Sequence, residues 1–478
     1  MAKSGSEPLD WKTYRNVING KLETTKQTRH ATNPANGEDG PEVPVSTRDD
    51  VDRACDAAAE AFKTWSKVPW DERRKAIESF ADALEEEKEN FAQMLTAEQG
   101  KPLVFARMEI DNSLHWIRTI AAMSIPEESR EEENKTVVVR YIPLGVAVGI
   151  VPWNYPILLA AGKFAPALLT GNTMIIKPSP FTPAGDLKLV ELAQRFFPPG
   201  VLQCLSGGDD LGPMLTSHPV PAKISFTGST FTGKKVMESA SKTLKRVTLE
   251  LGGNDPALVF DDVDVDDVAK KISTFAFLNS GQICLALKRI FVQEGVADKF
   301  LRALVKETEA LKVGPGNQAD VFLGPIQNSM QYERVKGFFS DIEKENWKVA
   351  AGGKVPTGPG YFITPTIIER PDSKSRIVVE EPFGPIVPFL TFTDEADAIA
   401  QANATKMGLG ASVWSKDIER ANRVARGIEA GSVWVNTHFE LDPNVPFGGH
   451  KESGMGSEWG VGGLKSYCNV QALYLGKA

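Results

Sequence analysis

Cysteine is scarce in this chain: there are four, Cys55, Cys204, Cys284 and Cys468, with no Cys-x-x-Cys spacing among them. Neither a disulfide framework nor a zinc knuckle is indicated, and a reducing, cytoplasmic setting is expected. Histidine is nearly as rare. His30, His115, His218, His438 and His450 show no metal-ligand spacing, and none stands beside Cys284 in sequence, so no metal is expected. No apolar run approaches the ~20 residues needed to span a bilayer, because the most apolar stretch, 143–169, is broken by Pro, Asn and Lys. Residues 1–11 carry Ser, Gly, Glu and Pro where a signal peptide needs a continuous apolar core. The expectation is therefore no membrane and no export. Long Lys/Arg runs are missing and the formal charge is -8, which leaves nucleic acid without the clustered cations it would need. The acidic stretches 85–89 and 131–133 are short and adjoin helix or strand patterns, which marks them as solvated faces.

What the chain does have is length and alternation. With 42% apolar and 24% charged residues over 478 positions, it can bury substantial cores, and typical domains of ~100–200 residues give two to four of them. From Val51 the apolar positions Ala54, Cys55, Ala58, Phe62 and Trp65 recur at helical spacing, which puts Cys55 in the core. A second helix is predicted from Asp71 through Ile77, Phe80 and Leu84, and a third over 108–122. The texture then changes. Segments 136–142, 146–151 and 173–177 read as strands, followed by a helix over 183–197 with Thr182 as cap and Pro183 at its first position, then strands at 201–205, 222–226 and 246–251. Such alternation predicts a parallel sheet with helices on both faces. A second series predicts a second α/β domain: strand 256–260, helix 265–278, strand 289–293, helix 297–312, then strands at 366–368, 386–392, 411–414 and 432–435. The run 470–475 is strand-like and apolar with no local partner, so pairing with another subunit is expected.

Several residues can carry chemistry. Cys284 follows Asn279-Ser280-Gly281-Gln282, a turn-rich break, and is placed to open a helical turn whose dipole favours the thiolate. A lone cysteine is otherwise more often a core residue. Glu250 lies in the apolar run Leu249-Glu250-Leu251-Gly252-Gly253, where burial raises its pKa toward that of a general base; a strand-end acid facing water is the equal alternative. Asn154, in Pro152-Trp153-Asn154-Tyr155-Pro156, stands at a strand's carboxyl end and can donate to an oxyanion, or serve as ordinary turn chemistry. The segment Phe226-Thr227-Gly228-Ser229 leads from a strand into a helix opened at Lys234, and its small residues let backbone N–H groups approach a pyrophosphate, although the glycine spacing departs from the usual one. Lys177, before Pro178-Ser179, is in reach of ribose hydroxyls or simply of water. In Glu380-Glu381-Pro382-Phe383-Gly384-Pro385 the acid can hold a ribose and Phe383 can lie against a nicotinamide ring, the alternative being a capped surface turn.

The motifs PWNYP, IIKPS, FTGST, ELGG, GQIC, EEPFGP and PFGGHKESG, in this order and over nearly the whole chain, resemble those of the NAD(P)-dependent aldehyde dehydrogenase superfamily. The resemblance implies an α/β fold of two Rossmann-like parallel-sheet domains with a small β oligomerisation arm. The cofactor domain would take 1–122 and 144–251, the catalytic domain 252–450, and the arm 123–143 with 465–478. It also implies oxidation of an aldehyde to its acid. Cys284 resembles the nucleophile that forms a thiohemiacetal and then a thioester. Asn154, with the Cys284 backbone N–H, resembles the oxyanion donor, and Glu250 the base that activates the hydrolytic water and helps deprotonate the thiol.

For the cofactor, Lys177 and Ser179 resemble adenosine-ribose contacts, Gly228 and Ser229 the pyrophosphate site, and Glu381 the nicotinamide-ribose ligand, with Trp153, Leu251 and Phe383 lining the cleft. Tyr155 and Phe447 would shape the aldehyde pocket, and a homodimer or homotetramer is expected. NAD-preferring relatives often carry Glu three residues after the lysine, where this chain has Pro180; that removes a barrier to a 2′-phosphate, so the cofactor is NAD or NADP. The polar segment 438–444 falls in the family's substrate-mouth loop. Coenzyme-A-acylating relatives typically lack the glutamate, so Glu250 speaks for hydrolysis. An esterase using Cys284 and Glu250 without redox is the other reading. A retired structural member would be free to lose Cys284, Glu250 or Asn154.

Overall fold

The computed structural model describes residues 8–477. Residues 1–7 and Ala478, which fall in the ranges expected for the cofactor domain and the arm, lie outside the described residues. The α/β class holds throughout. Five parallel strands form the heart of an eight-stranded sheet, in the spatial order Leu202–Cys204, Thr173–Lys177, Val146–Ile150, Lys223–Thr227, Arg246–Glu250. In chain order these are the third, second, first, fourth and fifth, so the winding reverses between Val146–Ile150 and Lys223–Thr227. A doubly wound sheet leaves a ligand-sized crevice at that switch point, outside the strands' carboxyl ends. Helices cover both faces, which is why Val146–Ile150 and Thr173–Lys177 are buried at every position and read as unbroken apolar runs. Asn16–Ile18 and Lys21–Glu23 extend one edge antiparallel, and Gly454–Met455 returns from late in the chain to close the other.

A seven-stranded sheet follows, ordered Lys348–Ala351, Thr366–Glu369, Ile386–Phe392, Leu287–Gln293, Asp255–Val259, Gly410–Trp414, Ser432–Val435, with only Lys348–Ala351 antiparallel. The third unit is a three-stranded antiparallel sheet of Glu128–Glu131, Lys135–Pro143 and Cys468–Gly476. One partner of the terminal strand lies within its own chain. The terminal strand pairs along its whole length with Lys135–Pro143 of the same chain, from Cys468 opposite Pro143 to Gly476 opposite Lys135. A partner that far away in sequence leaves no local trace.

Helix Arg48–Trp65 buries the stripe Val51, Ala54, Cys55 and Ala58, and Thr47 opens it with a capping box to Asp50. Helix Pro183–Ala193 starts where expected, with Thr182 at the cap position and Pro183 first, but it stops short of 197, and Thr182 makes no capping bond, its hydroxyl being buried without a partner. The free N–H groups of Ala184 and Gly185 instead donate to the Glu98 carboxylate, at 2.7 and 3.3 Å. Helix Pro156–Leu169 repeats the device, with Ile157 and Leu158 N–H donating to Glu109 Oε1 at 3.0 and 3.3 Å. No helix among the described residues is long and apolar enough to cross a membrane.

Candidate active site

The switch-point crevice opens into a cavity of about 460 Å³. Trp153, Asn154, Gly228, Ser229, Glu250, Leu251, Cys284, Glu381, Phe383 and Phe447 all line it, so residues spread over nearly three hundred positions of chain meet in one place. Three expected site residues do not line it. Lys177 and Ser179 stand at the end of the neighbouring strand, where Lys177 Nζ donates to Pro178 O at 3.2 Å and Ser179 Oγ accepts from Phe181 N at 3.2 Å. Burial lowers Lys177 to about 8. Tyr155 lies under the Lys101 ammonium, 3.7 Å from its ring centre, and burial pushes its hydroxyl up.

The loop that delivers Cys284 is strained. In the 3-10 turn Leu278–Gly281, Asn279, Ser280 and Gly281 have φ of 51°, 57° and 71°, three left-handed residues in succession. A Cβ at Gly281 would strike the Gly384 carbonyl. Cys284 therefore sits in a turn ahead of strand Leu287–Gln293, not at the start of a helix, and the expected dipole is missing. Burial pushes its thiol up to about 12, with Lys288 opposing the rise. Asn154 is held over the same loop: its Nδ2 donates to Gln282 O at 2.9 Å, and its carbonyl accepts from Lys101 Nζ at 2.9 Å.

Three carboxylates line the cavity, and two are committed. Glu381 pairs with Lys288 at 3.1 Å and accepts from Gly253 N at 3.2 Å; a side chain at Gly252 would occupy the place of its carboxylate. Glu458 pairs with Lys163 at 2.6 Å and accepts from Ser225 Oγ at 2.5 Å. Glu250, at the end of strand Arg246–Glu250, is 4% exposed with neither carboxylate oxygen hydrogen-bonded. Burial, then the Glu458 carboxylate, push it well above the usual range, while Lys163 pulls the other way.

The match to the aldehyde dehydrogenase family model runs over residues 22–473. The chain belongs to the aldehyde dehydrogenase family. It is 41% identical to a putative aldehyde dehydrogenase of Gibberella fujikuroi over 98% of this chain and 100% of that one. Among solved structures, it resembles an NAD-dependent aldehyde dehydrogenase of Sinorhizobium meliloti (TM-score 0.95, 32% identity, 97% and 95% of the two chains covered). It also resembles betaine aldehyde dehydrogenase of Staphylococcus aureus, solved in complex with NAD+ (TM-score 0.94, 33% identity, 97% and 95% covered).

This aldehyde dehydrogenase has the surroundings that a dinucleotide requires. Ser229 caps helix Thr230–Ser241, accepting from Thr232 N at 3.2 Å, and with Gly228 brings the helix N-terminus to the cavity wall. A Cβ at Gly228 would run into the Phe226 ring, so the loop must pass without a side chain. Trp153 and Phe383 meet edge to face at 5.3 Å beside it.

Four site residues were not singled out in the sequence reading. Lys288 Nζ donates to Cys284 O at 2.6 Å and Ile283 O at 2.8 Å as well as pairing with Glu381. The ion pair of Lys163 and Glu458 acts on Glu250 through its charges, Glu458 raising it and Lys163 lowering it. His438 Nε2 bonds Leu285 O at 2.7 Å, next to the nucleophile, although no histidine adjoins Cys284 in sequence; burial lowers it to about 4, so it is neutral. A lysine four residues after the cysteine was the one visible signal.

Proposed function

We propose that this enzyme oxidises an aldehyde to its carboxylic acid with NAD or NADP through a thioester on Cys284. The observation that carries the reading is the partnerless Glu250 carboxylate in the same cavity as a thiol that is protonated at neutral pH. Such a thiol needs a base, and the other two carboxylates are tied up in ion pairs. Glu250 takes the Cys284 proton as Sγ attacks the carbonyl carbon. The oxyanion of the thiohemiacetal is held by the Cys284 backbone N–H and by the amide hydrogen of Asn154 that Gln282 does not use. The dinucleotide, when bound, supplies the acceptor for the hydride released as the oxyanion collapses to the thioester. Glu250 gives up the thiol proton to solvent, then takes one from water, whose oxygen attacks the thioester carbon and expels the Cys284 thiolate, to which Glu250 returns that proton.

The NAD+ carried by the similar betaine aldehyde dehydrogenase supports the cofactor assignment. Gly228 and Ser229 would face its pyrophosphate and Glu381 its nicotinamide ribose, with Trp153, Leu251 and Phe383 around the ring. Lys177 and Ser179 would meet the adenosine ribose. Phe447, which lines the cavity, is a wall for the aldehyde, and Tyr155 would be the other aromatic of that pocket. We retain 1–122 with 144–251 as the cofactor unit, 252–450 as the catalytic unit and 123–143 with 465–478 as an oligomerisation arm of a homodimer or homotetramer. Four free cysteines support a reducing, cytoplasmic setting.

The test is aldehyde-dependent formation of reduced cofactor with NAD and NADP in turn, together with acid product. Cys284→Ala is expected to abolish both. Steady turnover in that variant would overturn the mechanism, and ester hydrolysis that is equally fast without cofactor would favour the esterase reading.

A further inference from the structure

Trp459 holds a backbone conformation that residues with a side chain rarely adopt, with φ 60° and ψ 173°. Its surroundings fix it there. Glu458 N donates to Phe447 O at 2.7 Å and Phe447 N to Glu458 O at 2.8 Å, while Gly460 N donates to Pro443 O at 2.8 Å and Gly463 N to Trp459 O at 2.7 Å. The indole, 4% exposed, stacks on Phe447 at 4.6 Å and meets Trp116 edge-on at 5.3 Å. Gly162 lies against it, so close that a Cβ there would come within 2.8 Å of the indole nitrogen. Strain is thus maintained on one side of the ring and space cleared on the other.

Phe447 and Trp459 line the catalytic cavity and also a second cavity of about 290 Å³, bounded by Trp434, Leu441 and Pro446 together with Glu440 and Asp442. The stacked pair is the partition between them. The catalytic cavity takes Phe231 and Thr232 from the first turn of helix Thr230–Ser241, and Leu159, Phe447 and Trp459 add apolar lining to it.

We propose that Trp459 is the specificity-determining residue of the aldehyde compartment, an indole partition that selects apolar aldehydes whose chain ends at its face. This rests on the aldehyde oxidation proposed above. Without the indole the two cavities join and a longer chain extends into the second. Each methylene then accommodated in an apolar pocket is worth about tenfold or more in kcat/KM.

The experiment measures kcat/KM for propanal, hexanal and decanal in the wild type, Trp459→Ala and Gly162→Ala, with acid product and cofactor KM followed in each. The decanal-to-propanal ratio is read within one variant, so it does not depend on the fraction folded. It is expected to rise about tenfold or more in Trp459→Ala and to fall in Gly162→Ala, whose added methyl drives the indole toward the substrate, with cofactor KM unchanged. An active wild type whose ratio both variants reproduce would overturn this inference alone. A wild type that forms acid from none of these or any other aldehyde would overturn the proposed function and this inference with it.

Discussion

Cys284 and Glu250 are both pushed upward by burial, and the direction of each shift fixes what pH must do. Glu250 is an effective base only in its ionised form, which a raised pKa confines to higher pH, so turnover should climb as pH rises. In Glu250→Gln that limb should vanish, leaving at most a burst of reduced cofactor followed by steady turnover lowered about 10²-fold or more; stopped-flow and steady-state rates over pH separate the two. Lys288 makes a second claim. Its ammonium opposes the rise of the Cys284 thiol and anchors Glu381, so in Lys288→Met iodoacetamide should alkylate Cys284 only at still higher pH, and cofactor KM should increase. An unmoved alkylation profile would sink that role. Cys284, Glu250 and Asn154 were legible because each sits in a distinctive local run. Lys288, Glu458 and His438 were not, because what marks them is what they touch: two carbonyls of the nucleophile loop, a buried lysine, and Leu285 O.

At the scale of elements, the parallel strands of the two large sheets were readable to within a residue or two, and burial on both faces turns most of them, such as Ile386–Phe392, into apolar β-branched runs; the short strands before residue 48 and Lys348–Ala351 were not anticipated. The helix caps were less readable. Pro156–Leu169 and Pro183–Ala193 both begin at a proline, and both take their caps from remote glutamates, Glu109 and Glu98, which no N-terminal motif announces. The arrangement has a pH signature. Burial pushes Glu98 up to about 8 from 4.5, outweighing the two N–H donors that draw it down. An acid raised in the fold contributes stability in full below its unfolded value and loses it as pH rises through the folded one. The melting temperature should accordingly fall between pH 4.5 and about 8, and the slope should be shallower in Glu98→Gln. Glu98→Ala, which orphans both N–H groups, should cost about 1–3 kcal/mol. Equal slopes in wild type and Glu98→Gln by scanning calorimetry would refute the assignment.

Across the whole molecule, the site exists because two parallel sheets and a returning strand converge: the switch point of the first sheet supplies Asn154 and Ser229, the second supplies the loop ahead of Leu287–Gln293, and Gly454–Met455 draws Trp459 and Glu458 back against Arg246–Glu250. The third sheet takes no part in the cavity and leaves a different kind of surface. Cys468–Gly476 is its edge strand, with one side of its backbone unpaired, and its alternate residues Val470 and Tyr474 are 65% and 69% exposed, with Leu475 beside them at 49%. An apolar, nine-residue open edge is a template for another chain unless it is covered. The end of the second sheet, Ser432–Val435, is likewise an edge. Closed assemblies of identical subunits bury such edges against one another, so the wild type should run as a dimer or tetramer in light scattering at micromolar concentration. Replacing both Val470 and Tyr474 by Lys places two charges on that face without touching the pairing to Lys135–Pro143, and should shift the population to monomer. A monomeric wild type, or a double variant whose mass is unchanged, would show that the arm serves the chain's own fold and nothing beyond it.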